Sequence, residues 1–144
     1  MRVVIQRSLQ AKVKIDNDIV GSIDYGLVVL VGFTHNDNSK KIDEMVNKII
    51  NLRIFDDENK VMNKSLLDVN GQVLSVSQFT LYANTDKGRR PSYIEALNNN
   101  EATKLYDEFN KKLANYVKVE TGIFGSDMQV ELINDGPVTI IIDK

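Results

Sequence analysis

Gly26 is followed by five apolar residues with no polar break, Leu27-Val28-Val29-Leu30-Val31. Strict alternation would mark a strand with one wet face, whereas an unbroken run of this length marks a strand buried on both faces. Whatever the chain folds into must therefore place a strand in its middle and cover it from two sides.

The other elements can be read around that strand. Val3-Val4-Ile5 and the alternating Lys12-Val13-Lys14-Ile15 are strand-like, Asp16-Asn17-Asp18 is a turn, and Ile19 to Ile23 returns as a strand. Gln72 to Phe79 alternates and reads as a further strand, as do Val117 to Glu120, Met128 to Ile133 and Val138 to Ile142. Two stretches have the helical period. Asn38 or Ser39 caps the first, with Ile42, Met45, Val46, Ile49 and Ile50 on one face. Asn100 caps the second, with Ala102, Leu105, Tyr106, Phe109 and Leu113 on its buried face. Strands outnumber helices and do not alternate with them regularly. This predicts an α+β fold, a mixed or antiparallel β-sheet curled toward a barrel with two main helices packed on it. The 144 residues, 42% of them hydrophobic, form one domain over 1–144, with no linker, repeat or low-complexity segment.

Composition narrows the chemistry. The formal charge is −2, from 18 Lys plus Arg against 20 Asp plus Glu, which disfavours a protein that coats nucleic acid nonspecifically. There is no cysteine, so disulfides, thiol nucleophiles and Cys-ligated zinc are excluded, and with His35 as the one histidine a multi-histidine metal site is excluded too. The opening MRVVIQRSLQ is too charged for a signal peptide, and no run approaches a membrane span. The expectation is a soluble cytoplasmic protein without metal or cofactor.

No phosphate loop, GxGxxG or HExxH occurs. His35, in Gly32-Phe33-Thr34-His35-Asn36, reads as a loop residue rather than a catalytic base, and Asp56-Asp57-Glu58 as a solvated turn rather than a cation site. Ser77-Gln78-Phe79-Thr80-Leu81 closes a strand, where backbone N–H groups freed from the sheet can bind a carbonyl or oxyanion; the simpler alternative is an ordinary strand terminus with Phe79 in the core. Asn134-Asp135-Gly136-Pro137-Val138-Thr139 holds one of two prolines, between two strand-like runs, where a Gly-Pro peptide can be cis; the simpler alternative is a hairpin or strand-entry turn. Lys87, Arg89 and Arg90 make a basic turn before Pro91-Ser92-Tyr93 that can meet phosphates or simply face water. Arg2, Arg7, Lys12 and Lys14 would extend it into a basic face if the two segments adjoin.

In order and at their spacing, these segments resemble the D-aminoacyl-tRNA deacylase family, formerly named for D-tyrosyl-tRNA. The resemblance runs through Met1 to Arg7, Gly26 to Gly32, Ser77 to Leu81, Gly88 to Tyr93, Phe124 to Met128 and Asn134 to Thr139, nearly the whole chain. Ser8 stands where the family often has Val and Tyr93 where it often has Phe, and neither change touches the proposed chemistry. The resemblance implies a homodimer with two sites at the subunit interface and aminoacylated tRNA as partner, needing no nucleotide cofactor. It implies that a cis Gly136-Pro137 of one subunit faces Ser77, Gln78, Phe79 and Thr80 of the other and selects chirality. Ala102, Phe124 and Met128 would line the pocket for the terminal adenosine and aminoacyl group, and Lys87, Arg89 and Arg90 would touch tRNA. The reaction implied is hydrolysis of D-aminoacyl-tRNA, and of mischarged glycyl-tRNA, as chiral proofreading in translation.

Two mechanisms fit an aminoacyl ester. Thr80 Oγ could act as nucleophile, or the 2′-hydroxyl of the terminal adenosine could assist water while the protein orients the ester. The poverty of side-chain bases favours the second. The rival from another class is a tRNA- or nucleic-acid-binding dimer without chemistry. Near-neutral charge and the lack of an aromatic stacking motif weigh against it.

Overall fold

The two apolar runs near the start belong to one 14-residue strand, β1 (Arg2–Ile15). The computed structural model describes residues 1–144. After β1 come β2 (Asp18–Ile23), β3 (Gly26–Gly32), α1 (Ser39–Asn51), the short β4 (Phe55–Asp56) and β5 (Met62–Lys64), β6 (Gln72–Ser77), α2 (Asn99–Leu113), β7 (Val119–Thr121) and β8 (Gln129–Asp143). A 3₁₀ turn over Phe79–Tyr82 follows β6.

The sheet is mixed, in the order β2-β1-β3-β6-β7 with β8 on the other edge of β1. β1 is long enough to serve three partners. β3 takes Arg2 to Ser8 and β2 takes Ala11 to Ile15 along one edge, while β8 runs antiparallel along the other, from Arg2↔Asp143 to Lys14↔Gln129. β3, β6 and β7 are mutually parallel. Parallel neighbours need a crossover, and α1 and α2 are those crossovers, which puts both helices over the same strands. Curling brings β2 back to β7. A Cβ on Gly21 would sit 2.7 Å from the Thr121 carbonyl, so only glycine lets the two strands approach this closely.

The double burial of the Leu27 run has a direct cause. Leu27, Val29 and Val31 face the main core with Ile42, Met45, Ile49, Phe109 and Leu113 of the helices. Val28 points the opposite way, into the curled sheet, beside Val13, Ile23, Leu74 and Val76. α1 begins as expected, with the Asn38 side chain accepting from Lys40 N and Lys41 N. α2 begins two residues earlier than its sequence suggested, because Asn98 rather than Asn100 accepts from Glu101 N, and its side-chain amide also donates to the Glu101 carboxylate.

Candidate active site

The carboxyl ends of parallel strands are where sheets with crossover helices leave a crevice, and here that crevice is built. The chain leaving β3 supplies Val31 and Phe33, that leaving β6 supplies Ser77, Gln78 and Phe79, and that leaving β7 supplies Phe124, Gly125, Ser126, Asp127 and Met128. Asn99 and Ala102 close it from the first turns of α2, and the cavity volume is about 370 Å³. This lies inside the roughly 300–1,000 Å³ of small-molecule sites. A second cavity of about 430 Å³ lies among β1, β2 and β8, but its cation Lys12 is tied to its acid Glu131 at 2.9 Å.

The strand expected to reach Phe79 stops at Ser77. Gln78 N still donates to Val31 O (2.7 Å), and the backbone then turns into the 3₁₀ segment, where Leu81 N returns to Gln78 O (3.3 Å) and Ala83 N to Thr80 O (3.0 Å). The amides of Phe79 and Thr80 stand at the start of that turn with no acceptor in the chain. Arg2 holds the turn from β1: its guanidinium donates to Leu81 O at 3.0 Å and lies 5.4 Å from the Tyr82 ring centroid. Burial pushes the Tyr82 phenol up to about 12. Phe79 is not a core residue. It is 55% exposed, and its ring meets that of Tyr93 edge-on at 5.0 Å.

Thr80 sits at the rim rather than in the cavity wall. Gln78 Nε2 donates to its hydroxyl at 2.6 Å. That contact fixes the hydroxyl but cannot take a proton from it. His35 is elsewhere, its Nε2 2.9 Å from Ile94 O, a tether between loops. Asp127 is the one ionisable side chain in the wall, and it is exposed. Beneath the site the Tyr106 hydroxyl donates to Ser75 O (2.8 Å), which also accepts from Gly122 N (3.1 Å). One carbonyl therefore ties α2, β6 and the chain leaving β7 together. Burial raises the Tyr106 phenol, which keeps its proton on that bond.

Gly136 and Pro137 are not in this cavity, nor in a hairpin. The two runs flanking them are one strand, β8, and the Gly136-Pro137 peptide within it is cis. β8 pairs Asn134 with Ser8 and Thr139 with Gln6, so five steps along β8 match two along β1 and three residues bulge out. Gly136 has φ +116°, outside the range of side-chain-bearing residues. Two side chains brace the bulge. Arg7, only 7% exposed, puts Nε 2.9 Å from Asp135 Oδ2 and 3.3 Å from the Asp135 carbonyl, and Nη1 2.8 Å from Ile54 O and 3.3 Å from Asp56 Oδ1. With its amide oriented to satisfy both ends, Asn134 donates to Val138 O (3.0 Å) and Arg7 O (3.1 Å) and accepts from Thr139 Oγ1 and Gln6 Nε2 (3.0 Å each). Within one chain the bulge, opposite Arg7 and thus level with Leu27 and Val73, is three strands across from β6 and four residues along it from Ser77.

Lys87, Arg89 and Arg90 lie in an exposed loop pinched by paired Asn84 and Ser92, and none of the three meets a carboxylate. The basic face expected to include the N-terminal strand does not form. Arg2 pairs with Asp143, Arg7 with Asp56 and Asp135, and Lys12 and Lys14 with Glu131. The sequence reading also missed Phe33 and Asn99 in the cavity wall and Arg7 as the brace of the bulge. Arg7 carried a signal, a charged residue amid an apolar strand beginning.

A curated D-aminoacyl-tRNA deacylase of Thermosipho africanus (strain TCF52B) is 57% identical over 145 aligned positions, covering 100% of this chain and 97% of that protein. A solved structure named c-Myc DNA Unwinding Element Binding Protein superposes with a TM-score of 0.95 at 37% identity, over 100% of this chain and 99% of that one. Another, described as a structural analysis of a probable eukaryotic D-amino acid tRNA deacylase, shares the fold with a TM-score of 0.84 at 20% identity, over 99% and 98% of the two chains. The family model described as D-Tyr-tRNA(Tyr) deacylase matches residues 4–143, and the chain belongs to that family.

Proposed function

We propose that the protein hydrolyses the ester of D-aminoacyl-tRNA, releasing free tRNA and free D-amino acid, and so proofreads chirality in cytoplasmic translation. The observation that carries this reading is the cavity at the strand ends, with walls of mixed apolar and polar character, two unused backbone amides at its rim and no side-chain base in reach of Thr80. Ala102, Phe124 and Met128 hold the terminal adenosine and the aminoacyl group. Phe79 N and Thr80 N point to the ester, where charge develops on the carbonyl oxygen as water adds. Water supplies the hydroxyl of the new carboxyl group, the ester C–O bond breaks, and the leaving 3′-oxygen takes up a proton. An aminoacyl ester is already activated, so positioning supplies most of what the reaction needs. The 2′-hydroxyl of the terminal adenosine orients the attacking water, with Ser77 and Gln78 shaping the pocket and the Thr80 hydroxyl positioned by Gln78. No metal or nucleotide cofactor takes part.

The working form is a homodimer in which Gly136 and Pro137 of each subunit enter the other subunit's site. Two observations support this. The 15-residue β8 pairs only with β1 and leaves its outer edge open, with Ile133 and Ile141 exposed along it. The bulge is also too far along the sheet to reach the cavity of its own chain. A rigid backbone wall facing the α-carbon rejects every L side chain through its Cβ, and glycine, without one, passes. Lys87, Arg89 and Arg90 contact tRNA phosphates.

The test compares D-Tyr-, L-Tyr- and glycyl-tRNA with chelator present and no nucleotide. Release of D-Tyr and Gly with L-Tyr retained is expected. Protection of all three esters would make the protein a binder, and equal cleavage of D and L would refute the account of selection.

A further inference from the structure

Phe79 and Tyr93 form an exposed aromatic ledge that the chemistry above does not use as such. Phe79 lines the cavity with one side of its ring and is still 55% exposed, Tyr93 is 41% exposed and the next residue, Ile94, 77%. Exposed aromatic surface continuous with a binding cavity points to a contact site. The ledge is also held in place. His35 Nε2 lies 2.9 Å from Ile94 O, Thr34 pairs with Ala96, and Leu97 N donates to Phe33 O at 3.0 Å, so the segment after Tyr93 is fastened to the chain leaving β3. On its far side Tyr93 follows Ser92, whose pairing with Asn84 closes the loop of Lys87, Arg89 and Arg90. Cavity, aromatic faces and unpaired cations thus follow one another across the surface.

We propose that Phe79 and Tyr93 form a second nucleobase subsite, which stacks the base of the nucleotide preceding the terminal adenosine and passes the backbone beyond it to the loop of Lys87, Arg89 and Arg90. The occupant follows from the chemistry beside the ledge. A flexible single strand is bound by aromatic faces set next to a cationic groove. An apolar protein partner would gain nothing from three cations that no carboxylate pairs, the loop's one acid, Asp86, being held by Asn84 instead. The inference deepens the deacylase reading and rests on it.

The experiment uses D-tyrosyl esters of adenosine, of cytidylyl-(3′→5′)-adenosine, and of the same dinucleotide with the 5′ nucleotide abasic. For the wild-type protein, kcat/KM on the full dinucleotide is expected to exceed that on adenosine by about fivefold to a hundredfold, the range of one base stacked on an aromatic ring. The gain should reside in KM and vanish with the abasic substrate. Tyr93→Ala should lose the gain while hydrolysing the adenosine ester within about twofold of wild type, which also shows that it folds, and Tyr93→Phe should keep it. No gain from the second nucleotide, an abasic substrate as good as the full one, or equal loss by Tyr93→Ala on both esters would overturn the subsite. If the wild-type protein cleaves none of the three, the deacylase reading falls and the subsite with it, an outcome distinct from cleavage without gain.

Discussion

Replacing Arg7 by Met removes the brace of the Gly136 bulge while keeping an unbranched apolar side chain of similar reach. Three losses follow from the geometry. The ion pairs to Asp135 (2.9 Å) and Asp56 (3.3 Å) disappear, but those carboxylates are 36% and 44% exposed and return to water. They therefore count as pairs near the surface, about 0.2–1 kcal/mol each, rather than as buried charges left stranded, which would cost about 3–5 kcal/mol. Ile54 O loses the buried donor it has at 2.8 Å, and an unsatisfied buried carbonyl costs about 1–3 kcal/mol. These losses total about 1.5–5 kcal/mol and are partly offset because Met, unlike the buried guanidinium, has no charge to desolvate, so a loss of about 1–3 kcal/mol in urea-unfolding free energy is expected. Arg7→Lys keeps the charge but not the fork and should fall between. Because Arg7 Nε also holds the Asp135 carbonyl at 3.3 Å, the folded Met variant should lose D-over-L discrimination by tenfold or more at a temperature where it remains folded. A Met variant within about 0.5 kcal/mol of wild type would refute the energetic argument. One that is destabilised yet keeps its D/L ratio would refute the role of Arg7 in holding the bulge.

Other outcomes are open to simple assays. Replacing Lys87, Arg89 or Arg90 singly by Ala should weaken tRNA binding and reduce the slope of log K against log salt by about one each, with cleavage of aminoacyl-adenosine nearly unchanged. Thr80→Ala should keep most activity while a 2′-deoxy terminal adenosine becomes a poor substrate; a loss of several powers of ten in the variant would make Thr80 the nucleophile. The Tyr82 phenol, raised by burial from 10.0 to about 12, keeps its proton in the folded state where the unfolded chain loses it. Its contribution to stability is therefore complete below about pH 10 and is lost as pH rises through about 12. Urea titrations across that window should show a flatter decline for Tyr82→Phe than for wild type.

Local pattern revealed the elements whose environment is set by neighbours in sequence. The Leu27 run announced its double burial, the Asn38 cap and the α1 face appear as read, and α2 was displaced only at its cap because three consecutive asparagines offered equal candidates. Long-range features were not legible. The turn at Phe79 interrupts an alternating pattern because Arg2, far away in sequence, anchors Leu81 O. Pro137 lies inside a strand rather than between two because its bulge needs no ladder donor there. The charges of the N-terminal strand looked free because their acids lie some 50 to 140 residues away, on β4 and β8. Resemblance placed Ala102, Phe124 and Met128 together, and the cavity contains all three.

The pairing of β1 with β8 joins Arg2 to Asp143, and just beyond it Met1 and Lys144 are hydrogen-bonded to each other, the longest chain closure in the molecule. Contacts so remote in sequence form slowly, because a large loop must be ordered before they can be made. The main core is built chiefly from β1, β3, β6 and the helices, so it and the cavity wall other than Val130 can assemble before β8 docks. Until then the outer edge of β1 is unpaired, and the Gly136 bulge has no Arg7 to lean on. Amide exchange should accordingly divide the protein into two cooperative units, with the β8 amides opening at lower free energy than those of β3. Order in the cavity and order in the bulge are then separable, and with the role proposed for Gly136 and Pro137 a destabilised protein would surrender fidelity before it surrenders hydrolysis.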